Sequence, residues 1–597
     1  MSFIQQLSRP PRLSFKDNSF YLLDTMVLTT LLLPFMLFHF VDAATNFTQC
    51  LFDVRSSIYG PYAGVDNTGM RVPDILRATA IPYVVCVEKC GSAPEPFAWS
   101  IFGQEFSAWL LPYLALLSQL PFGAQDKWDN LLAVFLAVGS PTLAAYSVTI
   151  TVLNGRWISR LFSTYSYPNA QHATRILSSL QQSPLRVNLD GFLLSSLVVL
   201  PENDDWWSEL VVWLNFTYTW SISAVASIAW VVIAYVFTIV DSFTDDVATT
   251  VETNGQAVGS IWLWLIPVVV SWLQISPKCD SVRVKQALER ANMIAYVASY
   301  DHNVIPAAMV NSQRAIYLCS DRDHRLYIDQ HISAPVYNYA RIFSWTTAVQ
   351  KVAMCFSNAT RHVEFFEPVN PEATWVLGDR HLRIHPENRW GSSVQVETYC
   401  ISESNDGRLP HGSAIWTRIL MASVAALSLQ WGTAGAAILD VMLTPTTGLG
   451  CRSGAYLIYA TTSTLVWMML VLSSILGHYA EESTHKHPLR PYIQPYKVHF
   501  ATWFSVLLRR VGKTLAFCNA IWIVMTCIFQ FTGFFSRCFC NSSVIGRGAA
   551  KAYDVIQFLA PDIVDMKMAW VGGLVLATGS AVLFILFINL MIIPSQS

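Results

Sequence analysis

Charge is what this chain has least of. Only 13% of its 597 residues are Asp, Glu, Lys or Arg, while 53% are hydrophobic. A soluble domain carries about 25% charged residues, so this composition excludes a fold whose whole surface faces water. The net charge of −2 leaves no global basic field, and no nucleic-acid partner is expected. Catalytic signatures are missing as well. The sequence contains no HExxH, GxSxG, Walker A, kinase set or Cys-pair zinc spacing, and nothing repeats at a period of 20–50 residues. No inverted repeat of the transporter kind stands out. No catalytic residue, resident metal or cofactor is therefore assigned, and the chain is not expected to be an enzyme.

What the sequence has instead is long apolar runs. Ala414–Leu439 holds a single ionised side chain, Arg418, and Ala455–Leu476 holds none. At ~1.5 Å per residue each can cross ~30 Å of hydrocarbon. Further apolar segments are Ala108–Ala124, Leu131–Leu153, Leu210–Val240, Ala257–Ile275, Thr514–Phe535 and Met568–Ile593. Aromatic residues such as Trp206, Trp207, Trp262, Trp264, Trp272 and Trp570 cluster near the ends of runs, as interfacial belts do. The fold class these features imply is an all-α membrane protein. It is read as a polytopic helical bundle of about eight spans, with an N-terminal signal peptide or anchor and a mixed α/β extramembrane insertion.

The N-terminus carries Arg9, Arg12 and Lys16, then an apolar stretch from Thr25 to Val41, then small residues, the layout of a signal peptide or a signal anchor over 1–43. Residues 44–103 should then be luminal or extracellular, 104–275 a first membrane region with a basic loop at 155–208, 276–413 a water-facing domain and 414–597 a second membrane region. Arg156, Arg160, Arg175 and Arg186 in one loop, and Lys486, Arg490, Lys497, Arg509, Arg510 and Lys513 in another, place both on the cytosolic side. An acidic 241–256, the 440–453 turn and 536–567 fall outside. The parity conflicts: two apolar segments lie between a luminal 42–103 and a cytosolic 155–208. The simplest repair is that Ala108–Ala124, broken by Pro112 and Pro121, does not cross completely.

Cys50, Cys86 and Cys90 are disulfide candidates on the non-cytosolic side. Cys538 and Cys540 lie too close for an easy bridge to each other. Asn46-Phe-Thr48 and Asn541-Ser-Ser543 are glycosylation sequons on that side, and Asn358-Ala-Thr360, if modified, would invert the orientation. In the insertion, 281–300 and 335–356 carry apolar residues at helical spacing, which predicts amphipathic helices. Residues 391–402 alternate like a strand.

Several clusters invite chemistry. His478, Glu481, Glu482, His485 and His487 share one stretch; the three histidines are weak metal candidates, and a solvated helix end is the favoured reading. Gly448, Gly450 and Gly454 mimic a nucleotide loop but lack its strand, its glycine spacing and its lysine, so they are read as turn residues. Gly432, Gly435 and Ala436, with Gly573 and Ala577, make small-residue faces for close helix packing. Asp440 and Gln430 are the candidates for a transport path, although a snorkelling helix-end carboxylate is the expected state of Asp440.

The strings QWGTAGAAI (430–438), TPTTGLGCRSGAYLIY (444–459) and SSILGHY (473–479) resemble those of uncharacterised polytopic integral membrane proteins of filamentous fungi. So do WLLPYLALLSQLPFGA (109–124) and GSPTLAAYS (139–147). The resemblance implies a fungal multi-pass protein of the secretory pathway or plasma membrane and lends no activity. The expected function is a non-enzymatic membrane scaffold, sensor or interaction protein that contacts the lipid bilayer and a protein partner through residues 281–356. A transporter or channel using 414–479 and 514–535 is the first alternative, and a metalloenzyme near His478–His487 the second.

Overall fold

The computed structural model describes residues 44–592, apart from 96–98, 100–101, 104–105, 124–125, 189–191, 217–219, 245–259, 302, 311–313, 320–327, 379–383, 402–411 and 486–495. Residues 1–43, where a signal peptide or anchor is expected, lie outside the described residues.

The chain begins in a small cap with α1 (Phe47–Arg55), started by Asn46, whose side chain accepts from the Gln49 backbone N–H at 2.9 Å. Strand β1 (Ala80–Pro82) follows. Next come the short apolar helix α2 (Leu111–Leu117), then α3 (Lys127–Gly139) and α4 (Pro141–Phe162). A first group of domain elements is α5 (Ala170–Ser179), β2 (Leu185–Val187), α6 (Leu193–Val199) and α7 (Asp204–Trp213). Helices α8 (Ile222–Thr244) and α9 (Leu265–Ile275) return to the bundle. A second domain group is α10 (Ser281–Met293), β3 (Tyr296–Ala298), β4 (Val304–Pro306), β5 (Ile316–Leu318), α11 (Asn338–Glu364) and α12 (Ser393–Cys400). The chain closes with α13 (Gly412–Leu443), α14 (Cys451–His485), α15 (Tyr496–Phe531), strand β6 (Tyr553–Val555) and α16 (Ala560–Ile592).

Five of the described helices are long and apolar enough to cross a membrane: α8, α13, α14, α15 and α16. This is fewer than the eight apolar segments suggest, because three of those segments do not form single long helices. Leu131–Leu153 is bent by 104° between α3 and α4. Ala108–Ala124 and Ala257–Ile275 yield only the short apolar helices Phe106–Leu117 and Leu265–Ile275. The long Leu210–Val240 run also divides. Leu210 is fully buried in the domain core at the end of α7, and α8 starts only at Ile222.

Helix α13 is the hub, packing on α16, α4 and α14. Its small residues make this close: a Cβ on Gly432 would meet the Ser580 hydroxyl oxygen at 2.0 Å, and Ala436 and Ala577 are fully buried. Gly435 faces open space instead. Helix α8 stands at the rim, with Trp230 and Phe237 exposed.

At one end of the bundle the cap unites three stretches distant in sequence. Disulfides join Cys50 to Cys90, Cys86 to Cys538 and Cys451 to Cys540. Strand β1 pairs antiparallel with β6, Ile81 facing Asp554. All three candidate cysteines are therefore bridged, one of them across 452 residues of chain. Cys451, Cys538 and Cys540 complete the set, and Cys538 and Cys540 each bridge elsewhere.

At the other end, the loop 155–208 is not a separate connection. It forms half of one domain core with residues 284–400. Strands β2 and β5 pair antiparallel across the two halves, and Arg389 clamps Asp204 with two hydrogen bonds of 2.7 and 2.8 Å. Helix α11 is buried on several sides rather than amphipathic: Trp345 is 1% exposed and its indole N–H donates to the Leu177 carbonyl at 2.9 Å. The alternating stretch 391–402 is helix α12, not a strand. Ser392 and Gln395 form a reciprocal capping box at its start, and that local pairing outweighs the alternation.

Candidate functional site

The most unusual local structure is the break between α3 and α4, and its cause is legible in Gly139-Ser140-Pro141. Proline at the first helical position is preorganised for α4 and disfavours helical geometry at Ser140, which sits at φ −142° and ψ 81°. The Ser140 hydroxyl caps the new helix, accepting from Leu143 N–H. The break leaves carbonyls at the end of α3 without helical partners. Inside a bundle these must be satisfied by protein. Tyr459 of α14 donates its hydroxyl to the Val138 carbonyl at 2.7 Å. The Asn519 amide of α15 donates to the Gly139 carbonyl at 2.8 Å and to the Tyr459 carbonyl at 3.1 Å. Ser140 donates to the Ser463 carbonyl at 2.8 Å, and Thr142 shares a hydrogen bond with the Ser463 hydroxyl. A Cβ on Gly139 would lie 1.9 Å from the Ala516 carbonyl oxygen, so only glycine lets α15 approach.

The two arms form a V around the domain. Residues Pro335–Tyr337 touch both α3 and α4. Ser147 donates to the Val336 carbonyl at 3.3 Å, and Asn338 to the Thr151 hydroxyl at 2.7 Å. Beside this wedge lies Asp329, with no exposed surface, ion-paired to Lys513 and to Arg509 (3.6 Å) of α15 and accepting from the Tyr339 hydroxyl at 2.5 Å. Burial alone would raise this carboxyl, but Lys513 and Arg509 outweigh it and hold it below the usual value. A second buried link is Arg418 of α13. It donates to Asn154 of α4 and, at 3.2 Å, to the Thr346 hydroxyl of α11, and it covers the Trp157 ring at 4.1 Å.

The expected incomplete crossing of Ala108–Ala124 falls on a segment whose apolar helix is short, Phe106–Leu117. Glu95 N–H donates to the Ser536 carbonyl in the cap. The chain then passes the buried Tyr113 and reaches Gly123, packed on the Cys279 backbone at the entry to the domain. The proline-broken segment thus lies between contacts with the cap and with the domain entry, and α3–α4 beside it bends by 104°.

The predicted site residues do not converge. Asp440 does not snorkel: it is 1% exposed, seated on Gly573, with its Oδ1 lacking a hydrogen-bond partner. It borders a void of about 10 Å³ shared with Tyr235 and Ser260, room for one water at most. Gln430 is equally buried, and neither of its amide atoms has a hydrogen-bond partner. His478 stacks on Phe343 with ring centroids 4.5 Å apart, and Glu481 faces Arg186 at 3.9 Å. His478 and Glu481 thus face the domain, while Glu482 is exposed. The side chain of His485, and His487, lie outside the described residues. Among the described residues no cluster of His, Cys, Asp and Glu has the arrangement of a metal site. Asn46 is exposed on the cap, and Asn541 lines a cap cavity. Asn358 is buried, donating to the Cys400 carbonyl at 2.6 Å, and offers no acceptor to a glycan.

Sequence reasoning missed Asp329, Asn154 and Ser463, and read Asn519 only as a neutral polar residue in an apolar segment. The Gly-Ser-Pro break was the available signal, since it demands polar partners from neighbouring helices. Comparison with known proteins adds no relative: no family model, curated protein or solved structure matches the chain.

Proposed function

We propose that the chain is a non-enzymatic integral membrane protein that couples a disulfide-bonded cap on one membrane face to a folded domain on the other, as a scaffold or sensor. The observation that carries this reading is the wedge. The domain's Pro335–Tyr337 segment sits between the arms of the V, and Asp329 is ion-paired to the spanning helix α15. A shift of α15 therefore moves the domain.

On this reading the cap is non-cytosolic, in the secretory pathway or at the plasma membrane, and the domain is cytosolic. Supporting it, the cap cysteines are bridged, while Cys355 and Cys400 lie buried side by side in the domain as thiols. The path has seven crossings: residues 106–123, α8, 260–275, α13, α14, α15 and α16. The partner surface within 281–356 narrows to the exposed side of α10, with Val282, Lys285 and Met293, because most of α11 is buried. The test is purification from native membranes with identification of partners. Charge reversal at Lys285 should remove a partner that Asp440→Asn retains. Recovery of the same partners from both variants would refute the assignment of that surface.

A transporter is the second reading, favoured by a helix broken inside the bundle and by the buried Asp440 and Gln430. Loss of solute flux in Asp440→Asn, with normal membrane delivery, would establish it over the first.

A further inference from the structure

The cap contains a cavity of about 170 Å³ between the 444–453 turn and the 536–558 segment. Its walls include Thr48, Glu95, Arg452, Asn541, Ser543 and Asp554. A water takes roughly 30 Å³ of liquid volume, so the space exceeds what solvation of one polar group requires. The walls are rigid. Cys451–Cys540 crosses them, Ser543 donates to the Thr446 carbonyl at 2.9 Å, and Val555 N–H donates to the Thr446 hydroxyl at 3.0 Å.

One group in this wall is unexplained. Asp554 is 4% exposed on β6 and lines the cavity with Asn541, yet its Oδ2 is buried with no hydrogen-bond partner. A buried carboxylate oxygen without a donor costs a few kcal/mol. A ligand that brings donors and positive charge would relieve it. Glu95 adds a second carboxylate to the same wall, against the single guanidinium of Arg452. The lining supplies oxygens and no imidazole or free thiol, so it does not suit a soft transition metal. The free volume exceeds that of a bare ion and suits a small organic cation.

We infer that the cap cavity is a binding site for a small primary-ammonium compound, whose N–H donors meet Asp554 Oδ2 and whose charge is balanced by Asp554 and Glu95. The inference deepens the sensor reading by naming its ligand class, but it rests on the cap alone. Burial, with Glu95 adding to it, pushes the Asp554 carboxyl up to about 7, with Asn541 opposing. The site is thus poised to ionise as a cation enters.

The experiment uses the full chain in lipid nanodiscs. Methylammonium and 1,4-diaminobutane are titrated by calorimetry, with tetramethylammonium, which has no N–H donor, and calcium as comparators. Saturable binding of the two amines is expected, with none for tetramethylammonium. Asp554→Asn should weaken it at least tenfold. Should that variant fold poorly, Thr48→Trp, at an exposed position on the cavity rim, should abolish binding by filling the space. Failure of both amines to saturate, binding unchanged in either variant, or tighter binding of calcium would overturn the assignment. None of these results bears on the partner surface of the domain, so the two readings fail separately.

Discussion

At the scale of single residues, this molecule is held by polar groups placed where hydrocarbon forbids them to be idle. Asn519 is the clearest case. Its one amide serves two carbonyls, those of Gly139 and Tyr459, at the point where a helix is interrupted. Asn519→Ala should therefore cost about 1–3 kcal/mol for each orphaned group, read as a lower Tm of the detergent-solubilised protein, whereas Asn519→Asp should not restore both bonds. Asp329 is the second case. Asp329→Asn strands Lys513 and Arg509 beside an uncharged amide and should cost about 3–5 kcal/mol. Because the folded carboxyl lies below its usual value near 3.8, its contribution is complete above that pH and is lost as pH falls through the folded pKa. Thermal stability of the wild type at acid pH should converge on that of Asp329→Asn. Equal stability of the two proteins at pH 7 would refute the role given to Asp329.

At the scale of elements, the cap and the V show how neighbours decide what a segment becomes. The cap has an opposite pH dependence at Asp554. Its folded pKa of about 7 exceeds the unfolded value, so the folded cap binds the proton more tightly. Stability should fall as pH rises from about 4 to 7 and level off above that, by ~2–4 kcal/mol in the absence of ligand. Asp554→Asn should flatten the profile, as measured by protease resistance of the cap across that range. Cys86, just after β1, and Cys538, ahead of β6, are joined across the longest stretch of chain that a disulfide closes here. Their joint replacement by Ala should lower cap stability by ~2–5 kcal/mol while leaving α13–α16 packed, since that bundle has its own core. Helix α12 carries the complementary lesson. Its alternation pointed to a strand, but a capping box and the burial of Val396, Tyr399 and Cys400 on one side made it a helix.

At the scale of the whole molecule, three stretches distant in sequence come together at one end of the bundle. The hairpin turn, 536–559 and residues 44–95 all meet in the cap, an arrangement compatible with their expected placement on one side. The number of spans was less legible, because hydropathy counts apolar length and not direction. Residues 131–153 are apolar enough to cross, and Gly139-Ser140-Pro141 redirects them. Glycosylation mapping should modify Asn46 and leave Asn358 bare, since the latter is buried on the opposite face. A glycan at Asn358 would reverse the proposed orientation.

The sequence by itself determined the apolar, membrane-compatible helical class, the helical periodicity and the hairpin of α13 and α14, because each depends on local composition read along the chain. It did not determine which cysteines pair, that 155–214 and 281–400 are one domain, or that Asp329, Asn154 and Asn519 hold the break and the wedge. Those are contacts between residues far apart in the chain. In a bundle whose polar groups must be satisfied from within, only the tertiary packing decides which distant side chain arrives to satisfy them.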